Sequence, residues 1–477
     1  MFNDFRSFID ELNNIGDIVK ITGADWNLEI GAVTELSALR RGPALLFDEV
    51  KGYPKGYRIA SNVIMTPSRQ KLAFGFPEGL SDLEIVRQWR GKFNQYKPVP
   101  PIEVKTGPIM ENKSTGETID ILKFPAPKWH HRDGGRYIGT GVVNIVRDPD
   151  DGWVNCGTYR VMVHNEKTLA YYVSPGKHAN IIRQKYWSKG ESCPLVMCFG
   201  QDLILFAMSG MGLPWHVAEM EVVGYLKNKP LEVIKGEITG LPIPATAEIA
   251  VEGFAPPPSE SCKPEGPFGE WTGYYASGAR EEPIVDIKAV YYRDDPIMHG
   301  HPPVPPPANS WWPIPIQTAS LLWNRLEIVG IPGIQGVYTH GPGTRIVSVI
   351  SIKQMYLGHA NQVGALAISL LSGGSCTGRY AIVVDEDIDA SNWDEVMWAV
   401  TTRCDPENSI QIVRGFLSSP LDPMLSPDKR EAGDFTTAKV IINACRPYHW
   451  MKSFPPVNKA TDELKKRVLE KWPHIFK

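Results

Sequence analysis

The stretch GTGVVNIVRDPDDGWVNCGTYRVMVHNEKTLAYYV, residues 139–173, decides the fold. Three β-branched and apolar runs, Gly139–Val146, Tyr159–His164 and Thr168–Val173, are parted by Asp148-Pro-Asp-Asp-Gly152 and by Asn165-Glu-Lys167. Short strands punctuated by turn residues at such intervals predict a compact antiparallel barrel or sandwich. Leu231–Gly236, Ala247–Val251 and Ile284–Tyr292 continue the pattern. The reading is a central β domain over residues 121–305, expected to bind the ligand.

Upstream, Phe5, Phe8, Ile9, Leu12 and Ile15 stand at helical spacing, and Gly16 stops the run before an apolar strand, Ile18–Ile21. Strands Ala44–Phe47 and Tyr57–Ser61, a helix near 80–93 and the proline-rich Pro98–Pro101 follow, which predicts a small α/β domain over 1–120. Downstream of Pro302–Pro307 and the Trp311–Trp312 pair, strands Ile346–Ile350 and Ala381–Asp385 and helices near 354–371 and 392–402 predict a second α/β domain, over 306–477. A charged amphipathic helix near 459–471 closes the chain and is suited to packing on a neighbour. The fold class expected is α/β in the α+β sense.

The 477 residues carry 50 Lys and Arg against 53 Asp and Glu, a net charge of −3. No chain-wide basic field draws in nucleic acid or anionic lipid, so a small-molecule substrate is the expectation. The 43 glycines and 41 prolines make a chain rich in turns, and loops are expected to carry much of the chemistry. Seven scattered cysteines without a CxxC pair argue against disulfides or a zinc ribbon and for reduced, mostly buried thiols. Neither a signal-like N-terminus nor a long uncharged apolar run is present, so the expectation is a cytoplasmic protein without a membrane span.

Several motifs fail on inspection. Gly373–Gly378 has the glycine spacing of a phosphate loop but lacks the Lys and Ser/Thr that the mechanism needs. Asp385, Glu386, Asp387 and Asp389 lack the glycine and distal glutamate of a calcium loop and read as a strand end leading to a helix capped near Ser391. HExxH, GxSxG and GxGxxG are absent.

The sharpest local feature is Glu265-Gly-Pro-Phe-Gly-Glu270, two carboxylates held in an irregular turn that can aim both into one cleft or leave both solvated on the surface. Asn155 and Arg160 sit five apart across the start of a strand, joined by Gly157; Arg160 alone reads as a surface charge. His178 and Glu219 add an imidazole and a carboxylate, each structural if taken singly. Together, Asn155, His178 and Glu219 offer the donor set of a hard to borderline divalent ion such as Mn²⁺ or Mg²⁺.

With these residues in hand, the chain resembles the UbiD family of decarboxylases, which use prenylated flavin mononucleotide. The resemblance runs from Phe5–Leu12 through Pro43–Asp48, Pro125–Asp133 with Gly135-Arg-Tyr, the Asn155/Arg160 pair and His178. It continues through Ser209-Gly-Met-Gly-Leu-Pro, Glu219, the Glu265–Glu270 turn, Lys353–Val363 and Val384-Asp-Glu-Asp to Trp398–Arg403.

The resemblance implies a UbiD-like architecture: an N-terminal α/β segment, a central split β-barrel that binds the flavin, and a C-terminal α/β domain at a dimer interface. It implies that Asn155, His178 and Glu219 hold a divalent metal, usually manganese, that ties the flavin phosphate to the protein. Trp153, Met208, Ser209, Met211 and Glu219 match the segments around a potassium site, and Arg160, Glu265 and Glu270 match the catalytic network. Cofactor contacts are implied for Gly157, Thr158, Tyr159, Lys177, Gly210 and, in a stretch that varies, Lys353. A flavin prenyltransferase is implied as supplier of the cofactor, and a homodimer or homohexamer as the assembly.

Some positions depart from the family or vary within it. Trp215-His216 stands where many relatives are acidic or small, and reads equally as an aromatic wall or a substrate contact. Phe416 and Ser418 match substrate-facing positions in cinnamate-type relatives. His299, His301, Trp311 and Trp312 can hydrogen-bond or stack on an aromatic ring, or belong to a structural loop. The expected reaction is reversible non-oxidative decarboxylation of an aromatic or heteroaromatic acid, or its CoA thioester, releasing CO₂. The alternatives are a flavin oxidoreductase on a split barrel and a non-catalytic subunit of a multi-component carboxylase.

Overall fold

Strands Arg136–Gly139 and Val142–Arg147 are separated by only Thr140 and Gly141, yet they stand six places apart in the central sheet. Its order runs Arg136–Gly139, Val161–Asn165, Thr168–Tyr171, Arg280–Tyr292, Ile249–Ala255, Cys193–Phe199, Val142–Arg147, Val154–Gly157. In a flat sheet six steps span ~29 Å at the usual strand spacing, whereas the link from Gly139 to Val142 reaches ~10 Å. The sheet therefore curls into a half barrel. Asn112–Thr115 and Cys262–Glu265 add to it by pairing with Arg280–Tyr292.

The same arithmetic applies at the other end. Val154–Gly157 is the last strand of the order and Val161–Asn165 the second, so Thr158, Tyr159 and Arg160 cross the open seam of the half barrel. Arg160 is thus on the crossing segment, not on a strand as the sequence pattern indicated. The run read as one strand, Gly139–Val146, is likewise two strands broken at Thr140–Gly141. A Cβ at Gly141 would meet the His299 ring at 2.5 Å, so the break is also a point of close packing.

This computed structural model describes residues 1–306, 314–340, 345–371 and 377–476. Trp311, Trp312, Cys376 and most of the Gly373–Gly378 run lie outside them. The opening helix is Phe5–Asn14, capped by Asp4, and it buries Phe5, Phe8, Ile9 and Leu12 as its spacing predicts. Strands Ile18–Thr22, Ala44–Asp48 and Arg58–Ser61 form a small sheet, completed by Ile297–Gly300 from far along the chain, parallel to Arg58–Ser61.

The third layer is a five-stranded sheet in the order Ile334–His340, Val347–Ile352, Tyr380–Asp385, Thr436–Ala444, Ile410–Leu417, flanked by helices His359–Leu370 and Trp393–Arg403. The acidic run behaves as a strand end: Asp385 and Asp387 pair with Arg403 and Arg446, and Asn392, one residue beyond the expected Ser391, caps the next helix. The last helix, Asp462–Lys471, buries none of its side chains.

Helices within the central region carry no clear signal in the sequence, and they place the site. His178 and Glu219 each open one, His178–Trp187 and Glu219–Lys227. Among the described residues no helix is long and apolar enough to cross a membrane.

Candidate active site

A cavity of ≈ 360 Å³ opens beside the seam of the half barrel, within the size range of small-molecule and cofactor sites. Thr158, Tyr159 and Arg160 from the crossing segment line it, with Asn155, Lys177, His178, Ser209, Gly210, Glu219 and Glu270. The two ends differ in chemistry.

One end is an acid–arginine cluster. Arg160 donates from Nε to Glu265 Oε1 at 2.7 Å and from Nη2 to Glu265 Oε2 at 2.9 Å, and its Nη1 reaches Glu270 Oε1 at 2.7 Å. Its guanidinium carbon also lies 4.2 Å from the centre of the Tyr172 ring and 5.2 Å from that of Phe268. Tyr137 Oη donates to Glu265 Oε1 at 2.9 Å, and Glu265 is fully buried. Burial and the Glu265 charge hold the Tyr137 phenol far above its ordinary value, so it stays a donor.

Burial also raises the Glu270 carboxyl above its usual range; Arg160 opposes the shift and Glu265 adds to it. A buried carboxylic acid between a cation and a second carboxylate is set up to give a proton.

Local backbone geometry positions the pair. Gly266 takes a left-handed conformation, φ 87°, and the Gly266–Pro267 bond is cis. Gly134 N donates to the Pro267 carbonyl at 2.8 Å, and a Cβ at Gly134 would sit 1.8 Å from the Gly266 carbonyl oxygen. The turn is therefore docked against a segment that only glycine can supply.

At the other end Glu219, 2% exposed, accepts from Asn155 Nδ2 at 3.0 Å and from the Cys156 backbone N–H at 2.8 Å. Burial pushes its pKa up to about 8, and no Lys, Arg or His is paired with it among the described residues. Asn155 Oδ1 is buried without a hydrogen-bond partner. Burial, with Lys177 alongside, lowers the His178 imidazole and favours a neutral ring nitrogen. Two buried oxygens in want of a cation beside a neutral imidazole fit a divalent ion. Two helices begin at the cavity, with His178 and Glu219, and a helix N-terminus suits a phosphate.

The other expected residues scatter. Trp153, His178 and Trp215 pack as an aromatic cluster, with centroids 4.7 Å apart for the two tryptophans and 5.0 Å for His178 and Trp215. His216 is exposed beside Asp151, its ring 5.6 Å from Trp153. Met208 is buried, and its carbonyl and that of Ser209 accept from the Met211 and Thr158 N–H groups, each keeping a lone pair for a cation. Gly157 closes the edge strand against the Tyr159 ring.

His301 lines the cavity, whereas His299 is fully buried between Phe5 and Phe206. Phe416 lies away from the lining, under Lys439, and the Ser418 hydroxyl binds Asp422. Lys353 is exposed at a strand end; Lys177 and Arg345 are the basic side chains at the cavity besides Arg160. Sequence reasoning gave no role to Tyr137, Tyr172, Phe268, Arg345 or Leu421. Tyr137 and Phe268 had a signal, inside Gly135-Arg-Tyr and the Glu265–Glu270 turn.

Comparison with known proteins shows the family and the fold. The model of the 3-octaprenyl-4-hydroxybenzoate carboxy-lyase Rift-related domain matches residues 102–306, and those of the N-terminal and C-terminal domains match 9–89 and 314–444. The chain belongs to the UbiD family, a family of carboxy-lyases. Among this UbiD protein's relatives, the pyrrole-2-carboxylic acid decarboxylase of Pseudomonas aeruginosa is 30% identical over 98% of this chain and 97% of its own length. The phenolic acid decarboxylase of a Streptomyces species is 30% identical over 94% and 92%.

Among solved structures, the UbiD-class enzyme HmfF from Pelotomaculum thermopropionicum in complex with FMN superposes with a TM-score of 0.83 at 27% identity, covering 98% of this chain and 100% of that one. The open form of Sedimentibacter hydroxybenzoicus vanillic acid decarboxylase gives 0.82 at 25% identity, covering 99% of each. An evolved dimeric HmfF in complex with prFMN gives 0.80 at 26% identity, covering 98% of each.

Proposed function

We propose that this UbiD enzyme decarboxylates an aromatic or heteroaromatic carboxylic acid with prenylated FMN, reversibly and without net oxidation. The observation that carries the reading is Arg160, which faces the cavity with both Glu265 and Glu270 bound to it. Removing CO₂ from an sp² carbon needs an electron sink that side chains lack, and the bound flavin supplies it.

This chain's residues do the rest. Arg160 orients the substrate carboxylate and Glu265 keeps the guanidinium in place through two parallel bonds. Glu270 holds a proton at its carboxyl for the carbon that loses CO₂. Asn155, His178 and Glu219 would hold Mn²⁺ or Mg²⁺ beside the flavin phosphate, and carbonyls near Met208, Ser209 and Met211 would hold K⁺. His301 and Leu421 border the substrate space, and the CoA thioester of the acid is an alternative form to test. Exposed Ile412 and Leu417 on the edge strand, and Leu469 on the last helix, support a homo-oligomer built through the C-terminal region.

The test is co-expression with a flavin prenyltransferase, mass and absorbance of the released cofactor, and a screen of aromatic acids for CO₂. Prenylated FMN with CO₂ release supports the reading; plain FMN with no CO₂ from any acid overturns it.

A further inference from the structure

Glu270 borders a second cavity. This space, ≈ 420 Å³, is lined by His130, Gly269, Tyr274 and Tyr275 as well as Glu270. Tyr274, 63% exposed, stands at its edge toward solvent. The space is roomy enough for water, and Glu35, His130, Tyr275 and Glu270 in its largely apolar lining offer water polar partners.

His130 is built into its wall. Its Nε2 lies 3.9 Å from Glu35 and its Nδ1 3.6 Å from Asp133, which also accepts from the Tyr275 hydroxyl at 3.0 Å. A Cβ at Gly269 would be 3.9 Å from both His130 Nδ1 and the Tyr275 ring, so the imidazole lies against the residue preceding Glu270. The exposed His131 and Arg132 line the same space.

Each decarboxylation, on the function proposed above, consumes one proton. Once Glu270 has given its proton to carbon it is a carboxylate, and the first cavity is the one that cofactor and substrate would occupy. We infer that the second cavity is the proton port of the enzyme, and that His130 reloads Glu270 through it. A solvent proton binds the His130 ring; the imidazolium passes one proton through the cavity to the Glu270 carboxylate; the ring returns to neutral. No electrons move. Imidazole is the side chain suited to accept and release a proton near neutral pH.

Chemical rescue tests this. His130→Ala is expected to lower steady-state kcat about tenfold or more in dilute non-imidazole buffer while kcat/KM and the first-turnover burst stay at the wild-type level. Added imidazole should restore kcat saturably. Unchanged kcat, or a loss that imidazole does not rescue in either His130→Ala or the more conservative His130→Gln, overturns the port.

A second readout needs no turnover. In cofactor-free protein the His130 ring resonance is expected to shift on Glu270→Gln, and the absence of a shift counts against the pair. Wild-type protein that decarboxylates no acid would sink the functional reading instead, leaving the resonance experiment to decide the port.

Discussion

Arg160 and Glu265 share two parallel hydrogen bonds at 2.7 and 2.9 Å although 105 residues separate them in the chain. The third guanidinium nitrogen is spent on Glu270 at 2.7 Å. One cation thus fixes the spacing of two carboxylates in different settings: Glu265 is fully buried, and Glu270 faces both cavities.

Arg160→Lys keeps the charge but cannot make the fork, so catalysis is expected to fall at least about 100-fold with the fold retained. Arg160→Ala leaves Glu265 buried and unpaired and is expected to cost about 3–5 kcal/mol. Denaturant unfolding of the two variants side by side separates charge from geometry.

Glu270→Gln removes the carboxyl proposed as proton donor and should lower turnover by about 10²–10⁴-fold without loss of flavin binding. Burial raises the Glu270 carboxyl, so its proton stabilises the folded state in acid, and that contribution is lost as pH climbs from the ordinary carboxylate range through the raised value. Wild type should therefore lose stability relative to Glu270→Gln over that window. Melting curves across pH that run parallel for the two proteins would contradict the shift.

The Asn155–Glu219 end makes a ligand prediction. Adding Mn²⁺ to metal-free protein should raise the melting temperature, by about 2.7 kcal/mol of stability at a hundred times the dissociation constant. Glu219→Gln should abolish the response. A response kept by the variant would place the ion elsewhere.

Gly134→Ala tests the docking of the Glu265–Glu270 turn. The new methyl meets the Gly266 carbonyl, so the turn must move, at an expected cost of about 1–3 kcal/mol. Activity should fall further than stability does, because Glu265 and Glu270 flank the displaced peptide. Activity that simply follows the folded fraction would show that the turn tolerates the shift.

What the sequence determined by itself is local. Helix spacing at Phe5–Leu12 and the β-branched runs after residue 139 marked elements the structure contains, because side-chain periodicity is a property of the chain alone. The residue types of the cavity, Arg160, Glu270, Asn155, His178 and Glu219, and of Glu265 bound to Arg160, were also readable, as was the family they resemble.

The tertiary structure decided who meets whom. A two-residue link joining opposite ends of the sheet forces the curl that carries Arg160 across the seam, and nothing in Thr140-Gly141 announces that pairing. Ile297–Gly300 has the pattern of many strands, yet only the fold selects Arg58–Ser61 as its neighbour and buries His299 away from the cavity that His301 lines. The same holds for Tyr137, whose hydroxyl matters only because burial denies Glu265 water. Spacing along a chain dictates period and face; distance between faces is set by packing, and it is packing that makes a buried carboxyl an acid.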